Sequence, residues 1–217
     1  MPASDTIAEL RRFTICQLSD ALGVSCSIET SILPIDPQFR ICGPAFTVEC
    51  VLGDNLTAHH ALHLAQPGDA LIVGGSPDCD GALWGELMSI SAKSKALAGT
   101  IVDGPVRDPL EIRTLGYPVF CRRFDPRRAK KEAYGRINVP ILIGTLTINP
   151  KDFVIADANG LTSIPHARVH EAIDLASEVV RKENEVKGEI LAGRTIFEIL
   201  KLEQCVTTSQ QQNAKTK

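Results

Sequence analysis

Glu86, Arg107, Asp108 and Glu111 are the residues of this 217-residue chain whose types and spacing best suit chemistry. Twenty residues lie between Glu86 and Arg107, Asp108 follows at once, and two more residues lead to Glu111. Asp108 offers a hard oxygen for a divalent cation, and Arg107 offers a rigid planar donor fork for a carboxylate or an enolate. Together with Glu86 they could hold one cation and one planar oxyanion side by side. Taken without Glu86, Arg107 and Asp108 have a plainer explanation, an adjacent ion pair that caps a helix. The two readings divide on whether the chain brings Glu86 to the same place.

The elements that must do so are legible as alternating helices and strands. An amino-terminal helical pair spans 4–22, with starts at Ser4 or Asp5 and at Thr14. A strand follows in GPAFTVECVL, then a helix capped by Asn55 (NLTAHHALHLA), a stop at Pro67-Gly68-Asp69, and the apolar strand ALIVGG. The next unit repeats this logic, with a helix expected over 81–97 and the strand TIVDG at 100–104. A helix at 108–115 and the strand PVFCRR come next, then a basic, glycine-containing loop from Phe124 to Asn138. Short strands PILIG and DFVIADANGLTSIP precede a long charged helix from His166 to Leu191 and a last helix, TIFEILKL. The pattern predicts a single α/β domain layered about a central sheet, over 1–205. Arg107 and Asp108 fall where a strand gives way to a helix, the position at which such folds gather ligands. A helix and a returning strand account for the 20-residue interval, so Glu86 is expected at the same sheet edge.

Composition narrows the function classes. A 44% apolar chain of this length closes one sizeable core, and a net charge of −3 argues against nucleic acid as a partner. Seven scattered cysteines with no C-x-x-C pair read as reduced thiols of a cytoplasmic protein. No apolar run approaches the ~20 residues of a membrane helix, and the first residues lack a signal-peptide core. No membrane association is expected. The polar end, 206–217, reads as a disordered tail.

Other candidates are weaker. His59 and His63 share one helix face at a spacing that suits a transition metal, but no third ligand stands at a recognisable distance. Asp54 and Asn55 read as a helix cap whose place also puts them near a substrate pocket. Gly74-Gly75 lacks the G-x-G-x-x-G spacing of a dinucleotide loop. The run Arg122, Arg123, Arg127, Arg128, Lys130 and Lys131 reads as a solvated loop or as a gatherer of anions.

The stretch from Gly85 to Glu111 resembles the RraA-like family of 4-hydroxy-4-methyl-2-oxoglutarate aldolases and oxaloacetate decarboxylases. That family's pattern is an acidic residue, 20 positions, Arg-Asp, two positions and an acidic residue, and this chain fills every place. Further matching passages are Leu18-Ser19-Asp20-Ala21-Leu22, Gly43-Pro44-Ala45, Asp54-Asn55-Leu56 and Gln66-Pro67-Gly68-Asp69. Asn138-Val139-Pro140-Ile141, Ile148-Asn149-Pro150 and Asp157-Ala158-Asn159-Gly160 extend the likeness to about residues 6–200. The resemblance implies an α/β/β/α fold, like that of swivelling phosphohistidine domains, assembling as trimers or hexamers with sites between subunits. It implies Mg²⁺ or Mn²⁺ on Asp108 through a water-rich shell, and a small 2-oxo acid substrate bound by Arg107 and by the backbone amides of Gly85, Glu86, Leu87 and Met88. Glu86 would hold or activate the water that takes the substrate's hydroxyl proton. Glu183, favoured over Glu185, would complete the metal's outer shell from a neighbouring subunit. A rival branch, the family's namesake, binds and inhibits a ribonuclease without catalysis; the full acidic-20-Arg-Asp set favours the enzyme.

Overall fold

The computed structural model describes residues 3–23, 27–28, 31–75 and 78–208. Cys26 and 209–217 of the expected tail lie outside the described residues. Helices α1 (Ala3–Leu10) and α2 (Ile15–Leu22) open the chain; α2 starts after Thr14, as the sequence predicts, and the side chains of Thr14 and Gln17 accept each other's backbone amides there. Strands β1 (Ser27–Ile28), β2 (Leu33–Pro34) and β3 (Ile41–Glu49) follow, then α3 (Leu56–Leu64), β4 (Ala70–Gly74), α4 (Glu86–Ser94), β5 (Gly99–Val106) and α5 (Pro109–Leu115). The second half holds β6 (Val119–Phe124), β7 (Arg136–Ile137), β8 (Ile141–Ile143), β9 (Leu146–Ile148), β10 (Phe153–Asp157) and β11 (Gly160–Ile164). Helix α6 (Val169–Leu191), entered through a 3₁₀ turn at His166–Arg168, and α7 (Ile196–Ile199) come last, with further helix at 203–208. That last helix reaches into the segment expected to be frayed.

Nine strands form one mixed, nearly closed sheet in the order β1-β11-β10-β3-β4-β5-β6-β2, with β7 on β3, and β8-β9 form a separate hairpin. The centre, β3-β4-β5-β6, is parallel. Strand β4 shows why: all five residues are buried, because both faces are covered. Leu71 and Val73 face a cluster with Ala58, Ala61 and Leu62 of α3, Met88 and Ala92 of α4 and Ile112 of α5. Ala70 and Ile72 point the other way, to Ile141, Ile143, Leu146 and Ile148 of the hairpin and Val154 of β10. The outer face of β10 and β11 packs on α1, α2 and α6 through Phe153, Ile155, Leu10, Leu18 and Ala172. The layers are therefore α/β/β/α, as expected. No helix among the described residues is long and apolar enough to cross a membrane, and the six described cysteines are free.

Two boundaries differ from the sequence reading. The helix expected over 81–97 begins only at Glu86. Residues 81–85 are not helical, with Ala82 bridged to Arg128 and Trp84 bridged to Val106. Gly81 at φ +87° turns the chain, and an added Cβ there would meet the Arg128 carbonyl at 2.6 Å, so only glycine allows this approach. Asn55 occupies the cap position of α3 but makes no capping bond; the Asp54 carboxylate accepts the Leu56 amide at 2.9 Å instead.

Candidate active site

The end of β5 is stitched to the lead-in of α4. Leu83 N–H donates to Pro105 O at 2.9 Å and Arg107 N–H donates to Trp84 O at 3.0 Å, which fixes Arg107 directly opposite Gly85. Trp84 is buried, its indole N–H donates to Ser89 Oγ at 2.8 Å, and the Ser89 hydroxyl donates to Gly85 O at 3.0 Å. This chain of bonds orients the Gly85 peptide from below. The Glu86 amide, first in α4, donates to Asp108 Oδ2 at 3.2 Å, and Arg107 Nε stands 3.4 Å from the same oxygen. A Cβ on Gly85 would lie 2.9 Å from Asp108 Oδ2 and 3.0 Å from Arg107 Cγ, so any side chain there would push those two groups from their places. Asp108 itself adopts the left-handed conformation, φ 59° and ψ 46°, uncommon for a residue with a side chain, and makes no capping bond to α5.

Arg107 opens into a cavity of about 270 Å³. One wall is the first turn of α4, with Gly85, Leu87 and Met88; Asn55 and His59 come from α3, and Arg128 and Lys131 come from the segment after β6. Three cationic side chains and no carboxylate line the space, which suits an anion. The basic segment is brought there by Asp54. Its buried Oδ2 accepts the amides of Glu132 at 2.6 Å and Ala133 at 2.9 Å, while Lys130 exchanges backbone bonds with Gly53 and Asn55. Burial pushes the Asp54 carboxyl up, but those amides, the Leu56 amide and the Lys131 charge outweigh it and hold it below its ordinary value. Burial and Lys131 both push His59 below the usual histidine value. Asn55 is buried, gives one amide hydrogen to Leu83 O at 3.0 Å, and among the described residues has no partner for Oδ1.

The residues singled out in the sequence separate into three groups. Arg107, Gly85, Leu87 and Met88 line the cavity, and Asp108 is held beside them by Arg107 and the Glu86 amide. Glu86 and Glu111 line a separate groove with Ile90, Leu110 and Thr114, and Glu86 meets Asp108 through its backbone amide. Glu183 sits on α6, in the opposite helical layer, bonded to Gln17 at 2.8 Å and Lys187 at 3.4 Å. Asn55, Arg128 and Lys131 line the cavity, in keeping with the second reading the sequence allowed each of them, a place near a substrate pocket and a gatherer of anions, and His59 joins them from the histidine pair. The basic run divides: Arg128 and Lys131 line the cavity, Arg123 and Arg127 both pair with buried Asp125, whose carboxyl the bonds from Arg127 and the Gly81 amide pull far below the usual range, and Arg122 pairs with buried Asp103.

A divalent metal would have one carboxylate here. Among the described residues no three His, Cys, Asp or Glu side chains converge as a metal cage. Asp108 has Oδ2 engaged and, among the described residues, no bond at its other oxygen, which fits a hard cation that keeps most of its waters and shares its shell with substrate.

The geometry has counterparts in known proteins. The family model described as RraA-like, Aldolase/RraA, matches residues 15–162. A protein of Halalkalibacterium halodurans, provisionally named 4-hydroxy-4-methyl-2-oxoglutarate aldolase, is 32% identical over 198 residues, covering 89% of this chain and 94% of that one. Among solved structures, an uncharacterized protein from Pseudomonas syringae pv. tomato is similar with a TM-score of 0.80 at 26% identity, covering 90% of this chain and 96% of its own. The RNA-processing inhibitor RraA from Thermus thermophilis is similar with a TM-score of 0.65 at 27% identity, covering 70% and 92%. The chain belongs to the RraA-like family.

Proposed function

We propose that this protein is a carbon-carbon lyase that cleaves 4-hydroxy-2-oxo acids of the 4-hydroxy-4-methyl-2-oxoglutarate type to pyruvate, and decarboxylates oxaloacetate, through a pyruvate enolate. The observation that carries the reading is the cationic cavity into which Arg107 opens, with Asp108 fixed in a left-handed backbone at its edge. Arg107 binds the 2-oxo acid as a planar donor fork, and the first-turn amides of Leu87 and Met88, which have no partner within a helix of this length, receive its carboxylate. Arg128 and Lys131 take a second carboxylate of the substrate. Mg²⁺ or Mn²⁺ on Asp108 would supply Lewis-acid stabilisation of the enolate charge. Glu86 holds water on the Asp108 side, from the groove it shares with Glu111. The chain assembles as a trimer or hexamer, and Glu183 of a neighbouring subunit completes the outer shell of Asp108.

The test is pyruvate release from oxaloacetate with Mg²⁺, with and without chelator. Turnover should require the metal. Arg107→Ala should cost roughly 3 to 4 kcal/mol of barrier, a factor of about 10²–10³, as for other oxyanion donors, and Asp108→Ala should abolish turnover, both without unfolding the chain. Near-normal activity in either variant overturns the assignment. Pyruvate formation no faster than the protein-free background would favour the second reading, a ribonuclease-binding protein, which the likeness to an RNA-processing inhibitor supports.

A further inference from the structure

A buried chain of hydrogen bonds beneath the Arg107–Asp108 edge has no part in the reaction as proposed. Trp84 and Ser89 are 1% and 0% exposed. An indole N–H can only donate, so its 2.8 Å bond to Ser89 Oγ leaves the hydroxyl's own proton for Gly85 O, at 3.0 Å. Gly85 O also accepts the Ser89 amide at 3.1 Å. Two donors from one residue thus fix the Gly85–Glu86 peptide, and the far end of that peptide is the Glu86 N–H, which donates to Asp108 Oδ2 at 3.2 Å. Every donor in the series points the same way, from indole to hydroxyl to peptide to carboxylate. Bonds aligned like this in a dry interior strengthen one another, by roughly 10–30% per bond.

The carboxylate at the end of the chain has little else to hold it. Asp108 sits in the left-handed region and makes no capping bond to α5. Among the described residues its side chain has two polar partners, the Glu86 amide and Arg107 Nε at 3.4 Å. Arg107 is shared with the substrate in the reading above, so the Glu86 amide is the partner that stays with Asp108 throughout. We infer that Ser89 is the positioning residue for Asp108, an inference that rests on the lyase reading above. Through the Gly85–Glu86 peptide its hydroxyl holds Oδ2 in place and leaves the other carboxylate oxygen for the cation. Ser89 itself is fully buried and does not line the cavity.

Ser89→Ala, Ser89→Cys and Ser89→Thr are compared with wild type as full-length chains, with thermal melts to establish folding. Mn²⁺ binding is measured without substrate by electron paramagnetic resonance. The Mg²⁺ concentration for half-maximal pyruvate release is measured at saturating oxaloacetate. Cysteine nearly keeps the size of serine but offers only a weak S–H donor, whereas threonine keeps a hydroxyl that can bond the carbonyl four residues back in a helix. Groups that hold a metal ligand are worth roughly 10–100-fold in metal affinity, and Ser89 acts one peptide further out, so about tenfold is expected. Ser89→Ala and Ser89→Cys should each weaken Mn²⁺ binding and raise the Mg²⁺ requirement by about that factor, with Ser89→Thr within about threefold of wild type. Wild-type affinity in Ser89→Cys would reduce Ser89 to a packing residue, and wild-type affinity in Ser89→Ala would detach it from Asp108. A folded Ser89→Thr as weak as Ser89→Ala would show that the hydroxyl is not what matters; each of these overturns the inference. Should threonine fail to fold, the alanine and cysteine variants decide. A wild type that neither binds Mn²⁺ nor forms pyruvate would instead overturn the lyase reading itself.

Discussion

Asp108 spends backbone energy to be where it is. Its left-handed conformation, its lack of a capping bond and its carboxylate's close approach to Gly85, where a side chain would displace it, are three signs that position outranks stability. A side chain in that region costs on the order of 1 kcal/mol, which glycine would avoid. Asp108→Gly should therefore remove turnover while leaving the unfolding free energy unchanged or raised by up to about 1 kcal/mol. Denaturant melts alongside the oxaloacetate assay check this, and a loss of more than about 1 kcal/mol would mean that Asp108 is a structural residue. The spacing of Glu86, Arg107 and Asp108 was enough to place their backbones together. That Glu86 lines a groove with Glu111 and is absent from the lining of the Arg107 cavity was not legible, because five residues read as helix are not helical. Trp84 is buried against the β5 edge and Gly81 permits a turn that helical periodicity does not reveal.

At the level of elements, the cavity depends on a latch. Two residues in sequence, Asp54 and Asn55, look like one cap, yet they divide the labour: Asp54 ties the basic segment to α3, and Asn55 presents an unpaired carbonyl oxygen beside the cavity. Asp54→Ala leaves the amides of Leu56, Glu132 and Ala133 without their shared acceptor and should destabilise by about 2 to 3 kcal/mol, the usual value of bonds to a charged group. Asp54→Asn isolates the charge. Because the folded carboxyl is held below its unfolded value, its contribution is present above about pH 4 and is lost as pH falls through the lower folded value. The stability gap between wild type and Asp54→Asn should thus narrow below about pH 4 in acid melts; a gap that widened there would reverse the assigned sign. The four parallel strands were legible because each is an apolar run set off by turn residues, such as Pro67-Gly68-Asp69 before β4. The two-residue strands β1, β2 and β7 were not, since each exists only through a partner far along the chain, β11, β6 and β3 respectively.

The whole molecule leaves apolar side chains around its site uncovered. Leu87 is 73% exposed and Leu110 67% exposed at the starts of α4 and α5, with Leu33 and Phe124 beside Leu110 in a groove at the end of β6. Contiguous exposure of this kind marks an interface more often than a free surface. Glu183, meanwhile, lies in the opposite helical layer from Asp108, so the outer-shell role proposed for it can be filled only by another copy. Neither feature is written in the periodicity of the sequence, because an exposed leucine in the first turn of a helix carries the same pattern whether water or a neighbour covers it. The proposed assembly joins the two features: neighbouring copies cover the leucines and carry Glu183 to the site. Leu110→Glu places a charge in that contact without touching Arg107 or Asp108. In light scattering after gel filtration it should convert the trimer or hexamer to monomers, and those monomers, folded by circular dichroism, should lose most oxaloacetate turnover. Glu183→Gln should weaken turnover while leaving the assembly whole. A fully active Leu110→Glu monomer would show that one chain suffices for catalysis and would free Glu183 from any part in it.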